Sequence, residues 1–78
     1  MRLTSDVITQ RVGLQIRKIR REAEVSQEEL GRRIGVTRYQ ISRLELGRRR
    51  IAVDDLVLIA VALDRMSADF FADVFRGF

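Results

Sequence analysis

The sequence contains no cysteine and no histidine, and these two absences narrow its chemistry. Without cysteine there is no disulfide and no thiol nucleophile, and without either residue the usual zinc sites and an imidazole base are excluded. Proline is also absent and glycine occurs only five times, so signals for turns and strands are sparse. The sequence therefore favours helices and offers few of the groups that enzymes use for catalysis.

The chain also lacks the length for a second domain and the apolar run for a membrane span. A chain of 78 residues supports one core, since it buries only about 60% of its unfolded surface. The longest unbroken apolar run is Leu56 to Leu63, far below the roughly 20 residues that a membrane span needs. The N-terminus lacks the hydrophobic segment of a signal peptide. We therefore expect a single cytoplasmic domain over residues 1–78.

The chain does have a marked division of charge along its length. Residues 1–50 hold 13 basic and 6 acidic side chains, whereas residues 51–78 hold 2 and 5, so the two parts carry +7 and −3. Nucleic acid, as a polyanion, would be attracted by the first part and repelled by the second. A solvated surface that keeps the protein soluble is the alternative explanation, and charge alone leaves both open.

Apolar residues at helical spacing predict an all-α fold. A first helix is indicated by an apolar stripe at spacings of four, four, three and four, formed by Ile8, Val12, Ile16, Ile19 and Ala23. Its basic residues lie off this stripe. The stripe therefore predicts an amphipathic helix with one face in the core.

Two helix starts with the same chemistry follow, 11 residues apart. Ser26 with Glu29, and Thr37 with Gln40, fit the capping box, in which two side chains and two backbone N–H groups satisfy each other. The helix after Ser26 can therefore span little beyond residues 27–34. Two short helices joined by so tight a turn must cross steeply, which is the geometry of a helix-turn-helix.

The second helix of this motif has one apolar and one polar side. At 100° per residue, Ile41 and Leu44 fall on the core side. The other side carries Arg38, Tyr39, Ser42, Arg43 and Leu46. Arginine donors and a small hydroxyl suit guanine edges and phosphates. The motif, predicted over residues 26–46, therefore presents a candidate DNA-binding face.

Residues 12 to 72 resemble the helix-turn-helix family of lambdoid phage repressors and Cro, also called the XRE family. The resemblance lies in four stretches that keep the family's order and spacing, VGLQIRKIR, SQEELGRRIGV, ISRLELG and LVLIAVAL. A single capping box would be weak evidence, but four segments in register are specific. The resemblance implies a five-helix, lambda-repressor-like DNA-binding domain.

The resemblance also implies roles for individual residues. Gln27 would lie at the DNA backbone and brace the recognition helix, and Arg20 and Glu45 would form a structural ion pair. Base contacts would come from Arg38, Tyr39 and Arg43, phosphate contacts from Arg48, Arg49 and Arg50, and supporting or phosphate contacts from Gln40 and Ser42. The full predicted DNA-binding set is Gln27, Thr37, Arg38, Tyr39, Gln40, Ser42, Arg43, Arg48, Arg49 and Arg50.

Three positions depart from the family pattern. Gly31 stands where alanine is usual, which should cost about 1 kcal/mol of helix propensity but permit a closer approach of the third helix. Leu46 replaces a polar residue, which argues against a phosphate contact there. Ala52 occupies the usual Ser/Thr cap of the fourth helix, which leaves Asp54 and Asp55 to favour that helix end through its dipole alone.

The C-terminal part, residues 56–78, has more apolar surface than one small core can use. The fourth helix, predicted over Leu56–Leu63, is apolar on every side, and the core claims only Leu56, Ile59, Ala60 and Leu63. A fifth helix follows a Ser67 cap, and four of the five aromatic residues lie in the last nine positions. This helix could simply cover the core, as expected for Phe70. We favour a two-fold dimer, because so much exposed apolar surface would be adhesive. The predicted interface is Val57, Leu58, Val61, Phe71, Val74, Phe75 and Phe78.

The combined prediction is a sequence-specific transcription regulator that binds double-stranded DNA as a homodimer, on an inverted repeat with half-sites about 34 Å apart. No residues remain for a sensor domain, so no small-molecule ligand or cofactor is expected, and the protein would associate with the nucleoid when bound. The protein would regulate its own gene, as a restriction-modification controller or a Cro-like repressor.

The alternative class is an antitoxin or another protein-interaction module that uses the Phe-rich C-terminal part. An enzyme is not expected, because no carboxylate pair lies beside a nucleophile, a metal-ligand set or a glycine-rich phosphate loop.

Overall fold

Five helices and no strand make up the described part of the chain, which is residues 2–66, 68–76 and 78 of the computed structural model. The helices are α1 (Ser5–Glu22), α2 (Gln27–Ile34), α3 (Arg38–Glu45), α4 (Val53–Ala62) and α5 (Ala68–Val74). The prediction of an all-α, five-helix domain is confirmed. The cap predicted at Ser67 lies outside the described residues. Among those residues, no helix has the length and hydrophobicity for a membrane crossing.

All five helices contribute to one core. The α1 stripe is buried at Val12, Ile16 and Ile19, whereas Ile8 lies in an open apolar groove beside Phe75. The buried apolar residues are Val12, Ile16, Ile19, Leu30, Ile41, Leu44, Leu56, Ile59, Ala60, Leu63, Phe70 and Val74. Burying each of the larger aliphatic or aromatic side chains stabilises the fold by roughly 1.5–3 kcal/mol. This core holds α2 and α3 in a fixed orientation.

The caps of α2 and α3 determine where these two helices begin. Thr37 and Gln40 form both halves of a capping box, with the Thr37 N–H donating to Gln40 Oε1 at 2.8 Å and the Gln40 N–H to Thr37 Oγ1 at 3.1 Å. At the start of α2, Ser26 Oγ accepts the Glu29 N–H at 3.0 Å. The Glu29 carboxylate accepts from Arg33 Nε at 3.1 Å, a hydrogen bond that lowers the pKa of Glu29. The predicted box at Ser26 is therefore only half formed.

The fourth helix begins earlier than its apolar run indicates. The run starts at Leu56, but α4 begins at Val53 because the Asp55 carboxylate accepts the Ala52 N–H at 3.0 Å. The expectation that the dipole alone favours this end is wrong, since a side-chain hydrogen bond also stabilises it. Arg33 Nη1 donates to the Ala62 carbonyl at 2.8 Å, which ties α2 to the opposite end of α4.

Two glycines allow α3 to approach its neighbours closely. A Cβ added at Gly13 in α1 would lie 2.5 Å from the Leu44 carbonyl oxygen. A Cβ added at Gly31 in α2 would lie 2.6 Å from the Val36 carbonyl oxygen and 3.2 Å from the Thr37 carbonyl carbon. Both ends of α3 are thus held at backbone distance, which fixes how far its outer face projects.

Replacing Gly31 by alanine is expected to destabilise the protein, although alanine is the better helix former. The new methyl group would meet backbone atoms of the turn, and such overpacking costs roughly 1–3 kcal/mol against a propensity gain of about 1 kcal/mol. Urea denaturation should show a net loss of about 1 kcal/mol. Arg32→Ala on the exposed side of α2 is the control, with a change within about 0.5 kcal/mol. A Gly31→Ala variant more stable than the parent would contradict this packing.

Candidate nucleic-acid interface

The outer face of α3 is polar, cationic and accessible. Ile41 and Leu44 point into the core, whereas Arg38 is exposed and Tyr39 is 68% exposed. Gln40, Ser42 and Arg43 are half-buried, because they lie between the outermost residues and the core. Thr37 is exposed, but its backbone and hydroxyl are bonded to Gln40, so both side chains first serve to cap α3.

A buried ion pair fixes α3 to the first helix. Arg20 and Glu45 are 7% and 3% exposed and form two contacts, Nε to Oε2 at 2.6 Å and Nη2 to Oε1 at 3.0 Å. The third guanidinium nitrogen of Arg20, Nη1, donates to the Val25 carbonyl at 2.8 Å. Gln27 Nε2 also donates to Glu45 Oε1, at 3.0 Å. Glu45 therefore connects α1, the start of α2 and the end of α3 in one hydrogen-bonded network.

An open groove of about 530 Å³ lies between α1 and the starts of α2 and α3. It is lined by Arg17, Arg20, Arg21, Ser26, Gln27, Glu28 and Arg38. Arg17 and Arg21 were missed as site residues by the sequence interpretation, which placed them only on the polar side of the first helix. The signal that could have identified them is their four-residue spacing, which puts both on one face of α1. The groove is electropositive and suits a phosphate oxygen.

Three consecutive arginines follow the C-terminal end of α3, whereas the groove lies beside its start. Gly47 adopts the left-handed conformation at φ 73°, which turns the chain away from the helix axis. Arg48 and Arg50 are exposed and Arg49 is half-buried. Arg43 reaches this loop, with Nη2 donating to the Arg48 carbonyl at 2.9 Å.

Five of the predicted DNA-binding residues thus fall into two groups of neighbours. Gln27 and Arg38 surround the groove, while Tyr39, Arg43 and Arg48 are connected in a second group, with the Arg43 guanidinium 5.8 Å from the centre of the Tyr39 ring. Leu46 is exposed beside them and offers no polar group.

The predicted dimer surface is only partly available. Val57, Leu58, Val61, Phe75 and Phe78 are exposed, with Val61 at 59%. Val74 is fully buried in the core of its own chain, so its assignment to a dimer interface is wrong. Phe71 is half-buried, packs against the core and meets Phe70 edge-on at a centroid distance of 5.2 Å. The short α5 therefore turns one side inward, which the periodicity of its aromatic residues did not settle.

Comparison with known proteins shows that the chain is similar to transcriptional regulators. A family model described as helix-turn-helix matches residues 16–71. The chain is 44% identical over 66 residues to an uncharacterized transcriptional regulator in the ATPase CF(0) region of Rhodospirillum rubrum, covering 85% of this chain and 61% of that protein. It is 40% identical over 63 residues to the uncharacterized HTH-type transcriptional regulator y4aM of Sinorhizobium fredii (strain NBRC 101917 / NGR234), covering 81% and 44%.

A solved structure has the same architecture. The clp gene regulator ClgR from C. glutamicum superposes with a TM-score of 0.78 at 25% identity, covering 86% of this chain and 87% of the other. The chain therefore spans nearly all of that structure but only about 61% and 44% of the length of the two regulators above.

Proposed function

Because the chain belongs to the helix-turn-helix family of DNA-binding transcription regulators, we propose that it binds an inverted-repeat operator as a dimer and controls transcription of its own gene. The observation that carries this proposal is the outer face of α3. Arg38 and Tyr39 project from it, the electropositive groove lies beside its start and the Arg48–Arg50 loop follows its end.

In the proposed complex, α3 lies in the major groove with its N-terminal residues against base edges. Arg38, Tyr39 and Arg43 are the base-contact candidates, since arginine donors match the O6 and N7 acceptors of guanine. Gln27, Gln40 and Ser42 are half-buried and are assigned to phosphate or supporting contacts. Thr37, at the cap of α3, is assigned to the same kind of contact. Arg48, Arg49 and Arg50 are assigned to phosphates on the other side of the helix, so the backbone is held at both ends of α3.

The phosphate contacts predict a strong dependence of binding on salt. If each subunit neutralises about four phosphates, a dimer neutralises about eight, and the logarithm of the association constant should fall with the logarithm of salt concentration at a slope near −7. Fluorescence anisotropy with a labelled duplex measures this slope, at salt concentrations between about 50 and about 300 mM. A slope near zero would contradict the assignment of these residues to phosphate contacts.

The exposed apolar residues of α4 support the dimer. Val57, Leu58 and Val61 share one side of the helix at spacings of three and four. Val61→Glu should raise the dimer dissociation constant at least about a hundredfold, because symmetry places two unpaired charges in the interface. Val53→Glu makes the same change on α4 outside the predicted interface and should leave the constant within about threefold. Sedimentation equilibrium measures both, and equal dimerisation of the two variants would contradict this interface.

The proposed operator is tested by selecting bound fragments from random DNA and by footprinting the region upstream of the protein's own gene. We expect an inverted repeat whose half-sites are about 34 Å apart, one helical turn, enriched in the selection and protected upstream of the gene. Such a result would fit a restriction-modification controller or a Cro-like repressor. Selection without any enriched repeat would favour the protein-interaction alternative, in which the exposed C-terminal aromatic residues bind another protein.

A further inference from the structure

Arg48, the first residue of the Arg48–Arg50 loop, is bonded to Arg43 of α3 through both of its backbone polar groups. The Arg43 carbonyl accepts the Arg48 N–H at 2.9 Å, and Arg43 Nη2 donates to the Arg48 carbonyl, also at 2.9 Å. Both backbone polar groups of Arg48 are therefore bonded to the same residue, one through its main chain and the other through its side chain. A loop of three consecutive arginines repels itself, so this anchoring opposes the tendency of the segment to spread.

A second contact holds the Arg43 side chain in the conformation that reaches the loop. Its guanidinium lies 5.8 Å from the centre of the Tyr39 ring, within the range of a cation–π interaction, and Tyr39 is one helical turn earlier on the same face. Arg43 is half-buried, although it belongs to the outer face of α3. Tyr39, Arg43 and Arg48 thus form a continuous chain of contacts from the recognition helix to the loop.

We propose that Arg43 is a positioning residue that orders the Arg48–Arg50 loop before DNA arrives, so that three guanidinium groups meet the phosphate backbone together. This inference deepens the proposed function and rests on it for the DNA step. Ordering the loop in the free protein avoids the entropy of fixing it on binding, which would otherwise weaken each phosphate contact. The side chain keeps further N–H donors beyond Nη2, so anchoring the loop leaves it able to meet DNA.

The first measurement needs no DNA. Backbone ¹⁵N relaxation of the free protein should give order parameters for the amides of residues 48–50 near those of the rigid helices, about 0.85. Arg43→Met keeps the length of the side chain but removes the donor and the charge, and should lower these values below about 0.6. Arg38→Met is the matched control, because it removes one arginine from the same helix on the groove side. It should leave the loop values unchanged. Unchanged loop order in Arg43→Met would overturn the proposal.

The second measurement detects the consequence for phosphate contacts. With a random-sequence duplex, losing one charge per subunit reduces the magnitude of the salt slope of a dimer by about 2, and losing phosphate contacts of the loop as well should reduce it further. Combining Arg43→Met with Arg48→Gln, Arg49→Gln and Arg50→Gln should then reduce the magnitude of the slope by less than the sum of the separate changes. Additive reductions, with Arg43→Met accounting for only its own charge, would contradict the positioning role.

These two measurements separate the failure of this inference from that of the proposed function. If the parent protein does not bind DNA, the proposed function fails, and the relaxation data on the free protein still decide whether Arg43 orders the loop. If DNA binding is strong and Arg43→Met leaves the loop rigid, the inference alone is overturned.

Discussion

Replacing Glu45 by alanine is expected to destabilise the fold by about 3–5 kcal/mol, because it leaves the buried guanidinium of Arg20 without its counter-charge. The same change removes the acceptor of Gln27 Nε2, and with it the hydrogen bond that joins the start of α2 to the end of α3. The total stability of a domain this small is about 5–15 kcal/mol, so the variant should be largely unfolded at moderate urea concentration. Urea denaturation followed by circular dichroism measures the loss.

The control replaces both partners. A double variant with Arg20→Met and Glu45→Leu removes both charges and fills the space with apolar side chains, and such replacements of buried ion pairs are often neutral or stabilising. It should recover most of the stability lost in Glu45→Ala. A loss below about 1 kcal/mol in Glu45→Ala would mean that the ion pair does not hold α3 in place.

The second large effect concerns DNA affinity rather than stability. Arg38→Ala combined with Arg43→Ala should weaken operator binding at least about a thousandfold, since two subunits lose two contacts each and each contact contributes roughly 1–3 kcal/mol. Both side chains belong to the outer face of α3, outside the apolar core, so the folding free energy should change by less than about 1 kcal/mol. Binding is measured on the selected operator at one fixed salt concentration.

A charge-matched variant distinguishes the site from a general electrostatic effect. Arg65→Ala combined with Arg76→Ala removes the same number of positive charges from the C-terminal part, where Arg76 pairs with Asp73. This variant should weaken operator binding by less than about tenfold. Comparable losses in the two double variants would show that net charge, rather than the outer face of α3, governs the affinity.

The bounds of α2 could be predicted from the sequence because both of its ends carry local signals. Ser26 caps its start, and Gly35, in the left-handed conformation at φ 80°, ends it. The start of α4 carries a signal of a different kind, since Ala52 has no capping side chain and the stabilising group is Asp55, three residues later. A hydrogen bond that forms only within the folded turn is harder to infer than a cap residue in its usual position.

The division between core and interface could not be predicted for α5. Phe70 and Val74 are four residues apart and both are buried, whereas Phe75 on the next position is exposed. Five of the seven residues of α5 are apolar, so more than one apolar stripe can be drawn along the helix. Only the packing against α1 selects the buried side. The spacing of Arg17 and Arg21 places both on one face of α1, but the groove that they line is formed by three helices that meet only in the folded chain.

The most direct test of the DNA-binding surface is a titration of the ¹⁵N-labelled protein with a duplex at low salt, followed by amide chemical shifts. The largest shift changes are expected on residues 37–43 and 48–50 and around the groove at Gln27, with small changes on the apolar side of α4. Changes confined to α4 and α5, or none at all, would contradict this DNA-binding surface.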